Sequence, residues 1–186
     1  MASDTQRADY AVTQKIVHWL MAILIMMDLF IAQKFGGVMA DLDRFESRND
    51  HTSIGTIVTV LFIMRIYLRW KHGTPPLPAE MPEWQKLLAH AAHWALYGLI
   101  ATLIIFGILA AMNANTVIAP FGLFAFGDGT GAQALYDQFR WVHELATELI
   151  IATIALHVVA ALYHLVIVRD GLTERMLTVW KSQKNA

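Results

Sequence analysis

The chain has 186 residues, of which 56% are hydrophobic and 16% charged, and its mean hydropathy is +0.46. About a quarter of the residues in a soluble domain are charged, so this balance points to a single domain in a lipid environment. A formal net charge of −1 excludes the basic footprint of a nucleic-acid-binding protein. The absence of cysteine excludes disulfide frameworks, thiolate metal sites, iron–sulfur clusters, cysteine nucleophiles and covalently attached c-type haem.

Four apolar stretches are each close to the ~20 residues that a helix needs to cross a bilayer. They lie at about 16–32, 52–67, 87–112 and 141–168. We therefore predict an all-α fold, an integral membrane four-helix bundle that forms one domain over residues 1–186. Asn49 or Asp50 is the predicted N-cap of the second helix, and Asp170-Gly171 the predicted end of the fourth.

The distribution of basic residues predicts the orientation, because segments rich in Lys and Arg stay on the cytoplasmic side. The termini and the middle connection hold Arg7, Lys15, Arg65, Arg69, Lys71, Lys86, Arg169, Arg175, Lys181 and Lys184. The other two connections hold Lys34, Arg44, Arg48 and Arg140 and more acids than bases. Both termini are therefore predicted to be cytoplasmic, with the protein a multi-pass component of the bacterial inner membrane.

Histidine is the conspicuous functional residue type. Six of the eight histidines lie in the apolar stretches: His18, His51, His90, His93, His143 and His157. An ionisable residue inside a membrane is costly, so such positions predict function with a partner group. The alternative is that each is a structural histidine hydrogen-bonded to its neighbours.

Depth along the helices separates these histidines into levels. His51 and His143 each lie within about three residues of the predicted outer end of a helix, whereas His18 and His157 lie ~26 and ~24 Å below it. His143 and His157 are 14 residues apart, close to four whole turns, so both lie on one face of the fourth helix ~21 Å apart. This spacing predicts two stacked sites.

Two imidazoles at one level suit the iron of a b-type haem, since zinc or copper sites need three or four ligands. We predict two haem b groups, with His51 and His143 as axial ligands of the outer one and His18 and His157 as those of the inner one. His93 lies only ~3–5 Å below the level of His18 and is an alternative ligand.

Other polar residues near the inner face have predicted roles. Arg65 lies at nearly the depth of His18, so a haem propionate is its predicted partner, and Arg69 one turn on could share it. His90, His93 and His164 gather near the inner face and form the predicted quinone site. Asp28, an acid within the first apolar stretch, has no assigned role beyond a helix–helix hydrogen bond.

A family resemblance is visible in several motifs. They are Ile16-Val-His-Trp-Leu20, His51-Thr-Ser-Ile-Gly55, Arg65 with Arg69, Thr74-Pro-Pro-Leu-Pro78, Leu88-Ala-His-Ala-Ala-His93, Trp141-Val-His-Glu144, His157 and Arg169-Asp-Gly-Leu172. With these the chain resembles the bacterial cytochrome b-561 family of di-haem membrane cytochromes. The resemblance implies that His18, His51, His143 and His157 hold the haems, the four residues that the depth argument selects.

The family includes a superoxide oxidase, and the resemblance therefore implies passage of electrons from periplasmic superoxide through two haems to ubiquinone. Lys34, Arg48 or Arg140 could form a local basic site for the superoxide anion. A second hypothesis is a cytochrome subunit that exchanges electrons with a dehydrogenase, a hydrogenase or a soluble cytochrome docked on the acidic outer connections. A third is a haem-free membrane transport or interaction protein that uses the histidines as a proton relay.

Overall fold

The computed structural model describes residues 9–32 and 41–177, with side chains described for 9–32 and 46–177. Its helices are α1 (Val12–Ala32), α2 (Asp41–His72), α3 (Glu83–Met112), α4 (Gln133–Tyr163) and the short α5 (Glu174–Leu177). A 3-10 turn lies at Pro120–Gly122, and a π turn, His164–Val168, continues α4. The described residues contain no strand, only an isolated bridge between Ile118 and Phe126.

The first four helices are long and apolar enough to cross a membrane. Fewer than one in five residues of each spanning window is buried within the protein. The large side chains Phe30, Leu87, Trp94, Leu156 and Ile167 are all more than half exposed. Such an apolar surface is stable only against lipid, so the predicted all-α membrane bundle is confirmed.

The helices extend beyond the apolar stretches. The prediction that Asn49 or Asp50 caps the second helix is wrong, because α2 begins at Asp41 and the polar residues 41–50 form its first turns. Charged residues form helix readily where they reach water, so hydropathy marks the membrane-crossing part and not the helix end. The π turn that continues α4 ends at Val168, two residues before the predicted Asp170-Gly171, and Arg169 takes the left-handed conformation (φ 56°).

The helices form two antiparallel hairpins, α1 with α2 and α3 with α4. Backbones approach closely within each hairpin and stay apart between the hairpins. Large side chains fill part of the space between them, with Phe62 of α2 and Tyr97 of α3 in ring contact at 5.9 Å. The bundle therefore leaves room between α4 and the α1–α2 hairpin.

Hydrogen bonds join the hairpins at what we call the termini end, formed by residues 9–11, 73–82 and 169–177. The Trp19 indole donates to the carbonyl oxygen of Met176 at 3.0 Å. The Arg175 guanidinium donates to the carbonyl oxygen of Pro76 at 2.6 Å. The segment after α4 thus contacts both α1 and the α2–α3 connection.

The opposite end, which we call the loop end, contains the connection 113–132. The Ala119 amide donates to Asn49 Oδ1 at 3.2 Å, and the Phe121 amide donates to Ser53 Oγ at 2.9 Å. Both acceptors belong to α2. The α3–α4 connection is therefore attached to the other hairpin.

Two glycines allow this connection to fold back on the end of α3. Gly127 has φ +77°, and a Cβ there would lie 2.6 Å from the carbonyl oxygen of Met112. A Cβ at Gly131 would overlap the backbone of Asn113. Backbone atoms cannot move aside cheaply, so these positions need glycine.

We expect Gly131→Ala to lower thermal stability, since overpacking costs about 1–3 kcal/mol. Gly55→Ala is the control, because nothing lies within 4 Å of a Cβ built at Gly55. Thermal unfolding of both variants in detergent, followed by tryptophan fluorescence, measures the effect. Equal melting temperatures for the two variants would contradict the packing described.

Candidate functional site

In the half of the bundle nearer the loop end, which we call the loop half, two imidazoles from different hairpins face each other. His51 of α2 and His143 of α4 have ring centroids 5.9 Å apart, with the rings perpendicular. Each lies ten residues after the start of its helix, so the helices bring them to one level despite starting earlier than expected. The structure thus brings together the two residues predicted to form the outer pair.

Each of these imidazoles is held through Nδ1. His143 Nδ1 lies 2.9 Å from the carbonyl oxygen of Leu103, which can only accept, so Nδ1 donates. His51 Nδ1 lies 2.9 Å from Asp28 Oδ1 on α1. A histidine that donates from Nδ1 keeps the lone pair on Nε2 for a metal, and such partners orient metal-binding histidines.

Gly107 makes space for the His143 ring. A Cβ at this position of α3 would lie 3.1 Å from His143 Cε1 and 3.2 Å from its Nδ1. The ring therefore packs directly on the helix backbone. The close approach of α3 also positions the Leu103 carbonyl, one turn earlier, to accept from His143.

The spacing of the pair fits a metal centre with two axial imidazoles. Two imidazoles bound at about 2 Å on opposite sides of one metal atom have centroids about 6 Å apart, close to the distance found. In the described part of the chain, no group of three or more His, Asp or Glu could hold a metal ion. The residues present therefore fit haem iron and not a zinc or copper site.

A second group of imidazoles lies towards the termini end. His157 and His93 have ring centroids 5.5 Å apart, and His93 Nδ1 donates to the Ala89 carbonyl oxygen at 2.6 Å. His18 lies within electrostatic range of both histidines. His18 is six residues after the start of α1, and His157 is six residues before the end of α4. The structure thus gathers three histidines where the sequence predicts a pair with one alternative.

Two arginines lie beside this group. Arg65 and Arg69 of α2 have their guanidinium carbons 5.7 and 5.5 Å from the centroid of the Tyr97 ring. They line a cavity of about 30 Å³, together with His93 and Tyr97. Within the described residues neither arginine forms an ion pair. Both cations are therefore available to an anionic group.

Tyr10 also lines this cavity, just before α1. Burial raises the pKa of its phenol, although Arg69 and Arg65 act in the opposite direction. The phenol therefore stays protonated and can donate a hydrogen bond into the cavity.

The other predicted quinone residues, His164 and His90, differ in their surroundings. His164 Nδ1 forms a hydrogen bond with Asp170 Oδ2 at 2.7 Å, and both side chains are mostly buried. This pair spans the π turn that ends α4, and such turns are frequent at functional sites. His90, by contrast, is exposed on α3.

Of the three basic residues predicted to attract superoxide, the structure describes the side chains of Arg48 and Arg140. Arg140 pairs with Glu144 at 2.7 Å, which neutralises its charge locally. Arg48 is half-buried near the start of the membrane-spanning part of α2. Lys34, like Arg7, Lys181 and Lys184, lies outside the described residues, and the side chain of Arg44 is also not described. The predicted orientation, which uses these bases, remains a prediction.

Sequence reasoning assigned no role to two contributors to the loop-half pair. Asp28 had been left with a general helix–helix hydrogen bond, and Gly107 was not distinguished from other packing glycines. An acid inside a membrane span is itself an indication of function, and the histidines at the loop end were its candidate partners. No pattern in the sequence distinguishes Gly107 from Gly98, although only the former contacts an imidazole.

Comparisons with known proteins identify the family of this chain. A sequence-family model of prokaryotic cytochrome b561 matches residues 9–179. The probable superoxide oxidase CybB of Yersinia pestis is 27% identical over 168 residues, which cover 90% of this chain and 95% of that protein. Cytochrome b561 homolog 2 of Escherichia coli K12 is 28% identical over 176 residues, covering 90% of each chain.

Cytochrome b561 homolog 1 of the same E. coli strain is 22% identical over 169 residues, which cover 90% of this chain and 96% of that protein. The family match covers nearly the whole chain and the four membrane-spanning helices. Membership of a cytochrome b family implies that haem b is bound. The chain belongs to the prokaryotic cytochrome b561 family, and it is a multi-pass electron-transfer protein of the bacterial inner membrane.

Proposed function

We propose that this protein holds two haem b groups and conducts electrons from superoxide on the periplasmic side to ubiquinone at the cytoplasmic side. The observation that carries the proposal is the His51–His143 pair, whose rings lie 5.9 Å apart across the two hairpins. When bound, haem supplies the one-electron chemistry that the side chains lack. The chain's own residues hold, orient and tune it.

His51 and His143 are the proposed axial ligands at the loop half. Asp28 and the Leu103 carbonyl hold the two rings through Nδ1, so Nε2 is the nitrogen of each ring that would bind iron. Gly107 provides the space that the His143 ring needs. These contacts set the orientation before the cofactor binds, which lowers the cost of assembling the site.

His18 and His157 are the proposed axial ligands towards the termini end. Like His51 and His143, they come from different hairpins, and the backbones of the two hairpins stay apart. A flat macrocycle needs such a gap. His93 and His157 are on α3 and α4, which pack directly together, so we assign His93 the role of orienting His157.

The charges beside the second group suit the propionates of a haem. Arg65 and Arg69 share the Tyr97 ring and have no ion-pair partner among the described residues. A guanidinium inside a membrane span needs a counter-charge. We therefore propose that Arg65, with Arg69 beside it, binds a propionate.

Ubiquinone reduction needs both electrons and protons at one end of the protein. Two superoxide anions lose one electron each and become two O2, while one ubiquinone gains two electrons and two protons and becomes ubiquinol. His164, hydrogen-bonded to Asp170, can hold and pass a proton at its ring nitrogens. We propose that ubiquinone binds near His164, with His93 and the exposed His90 on the neighbouring helix.

The name of the Y. pestis relative supports superoxide as the electron donor. The alternative donor is a dehydrogenase, hydrogenase or soluble cytochrome. It is favoured by the Arg140–Glu144 pair, which removes a cation from the region where an anion would arrive. Family membership favours either of these over the haem-free alternative.

Histidine variants test the ligand assignment. We expect His51→Ala and His18→Ala each to reduce the haem content from two to one per chain, because an axial ligand is lost. His93→Ala is expected to keep both haems, with altered absorption bands for the haem in the half of the bundle nearer the termini end, the termini half. Pyridine haemochrome assays and reduced-minus-oxidised spectra measure this.

His90→Ala serves as the control for a membrane histidine outside the proposed ligand set. Loss of a haem in His93→Ala but not in His18→Ala would assign His93 as the ligand. Retention of both haems in His51→Ala would overturn the loop-half site.

Glycine variants test the packing of His143. Gly107→Ala places a methyl group against the imidazole, so we expect weaker binding or altered spectra of the loop-half haem, with the other haem unchanged. Gly98→Ala on the same helix meets nothing within 4 Å and is the matched control. Identical spectra and haem retention in the two variants would contradict a ring that packs on the α3 backbone.

The reaction of the purified protein with superoxide tests the proposed electron donor. With purified protein and a ubiquinone analogue, we expect superoxide to reduce the haems rapidly and to form ubiquinol at half the amount of superoxide consumed. Stopped-flow absorbance measures both, and superoxide dismutase abolishes the reaction as a control. Haems that remain oxidised under a superoxide flux would exclude superoxide as donor and favour a partner protein.

A further inference from the structure

His51 differs from His143 in the group that its Nδ1 contacts. Asp28 Oδ1 lies 2.9 Å from His51 Nδ1, and their side chains are 15% and 26% exposed. The Nδ1 of His143 instead contacts the backbone carbonyl of Leu103. The loop-half pair therefore combines one imidazole held by an acid with one held by a neutral group.

A carboxylate changes an imidazole more than a carbonyl does. A carboxylate that accepts from Nδ1–H draws the proton towards itself and increases electron density on Nε2, so the imidazole becomes a stronger ligand. A stronger, more negative ligand favours ferric over ferrous iron. The effect is large where the surroundings are apolar and solvent screening is weak.

The fixed charges at the termini half act in the opposite direction. Arg65 lies within electrostatic range of His18 and His157, and Arg69 within range of His93. Cations near a haem favour the ferrous form, which carries one positive charge less. The chain thus places an acid at one haem position and bases at the other.

We propose that Asp28 is a positioning residue which, through His51, makes the loop-half haem the lower-potential one and so directs electrons towards the termini end. This inference rests on the proposed function, since it requires a haem between His51 and His143. It assigns a role to the acid inside α1 and a direction to electron flow.

Asp28→Asn separates charge from geometry, because the amide oxygen can still accept from His51 Nδ1–H. We expect the loop-half haem to shift to a higher potential by a tenfold change in its oxidation equilibrium, about 59 mV for one electron. Haem content is expected to stay at two per chain. Potentiometric titration followed in the α-band measures the shift.

Asp28→Ala removes the acceptor altogether. We expect the same upward shift and, in addition, changed electron paramagnetic resonance g-values for the loop-half haem, because the His51 ring is no longer held. Asp28→Glu is expected to restore the wild-type potential in part. A purely structural role for Asp28 would alter haem retention or g-values without this dependence on charge.

Glu144→Gln is the matched control, since it removes one negative charge beside His143 in sequence. Glu144 lies within electrostatic range of His143, but it pairs with Arg140 and is 58% exposed, so solvent and Arg140 screen its charge. We therefore expect its replacement to change the oxidation equilibrium of the loop-half haem by less than twofold. If Asp28→Asn keeps two haems and the wild-type potential, while His51→Ala loses one haem, only the role of Asp28 is overturned. Two haems in His51→Ala would instead overturn the proposed function.

Discussion

An imidazole inside a bilayer must find partners for both of its ring nitrogens, and much of this structure follows from that requirement. His51, His93 and His143 each use Nδ1 for a fixed oxygen of the protein. The remaining nitrogen then has a defined direction. The close packing of α3 on α4, and the glycine beneath the His143 ring, serve to keep these directions constant.

Charge is distributed unevenly along the bundle, in a way that hydropathy does not reveal. Arg65 and Arg69 lie inside the span of α2, yet they border a cavity and an aromatic ring instead of lipid. The protein thus places these two charges where they face its interior. Few charges are then sufficient, because each charge in a low-dielectric region acts strongly on its neighbours.

The membrane architecture and the pairing of His51 with His143 were predictable, because span length and helix rise depend only on residue number. The start of α2 at Asp41 was not predictable from hydropathy, because charged residues continue a helix once it reaches water. Depth alone also could not show that His157 contacts His93, because that contact depends on the rotation of α3 about its axis. The bond between Asp28 and His51 likewise depends on how α1 is turned towards α2.

The hydrogen bonds that join the hairpins have a consequence for biogenesis. Asn49 and Ser53 hold the α3–α4 connection at one end, and Trp19 with Pro76 hold the segment after α4 at the other. We expect these tied ends to hinder the passage of a rigid, plate-shaped molecule as large as haem. Cofactor insertion is then expected to proceed sideways from the lipid, or to precede the docking of one helical hairpin on the other, so that maturation is coupled to membrane integration.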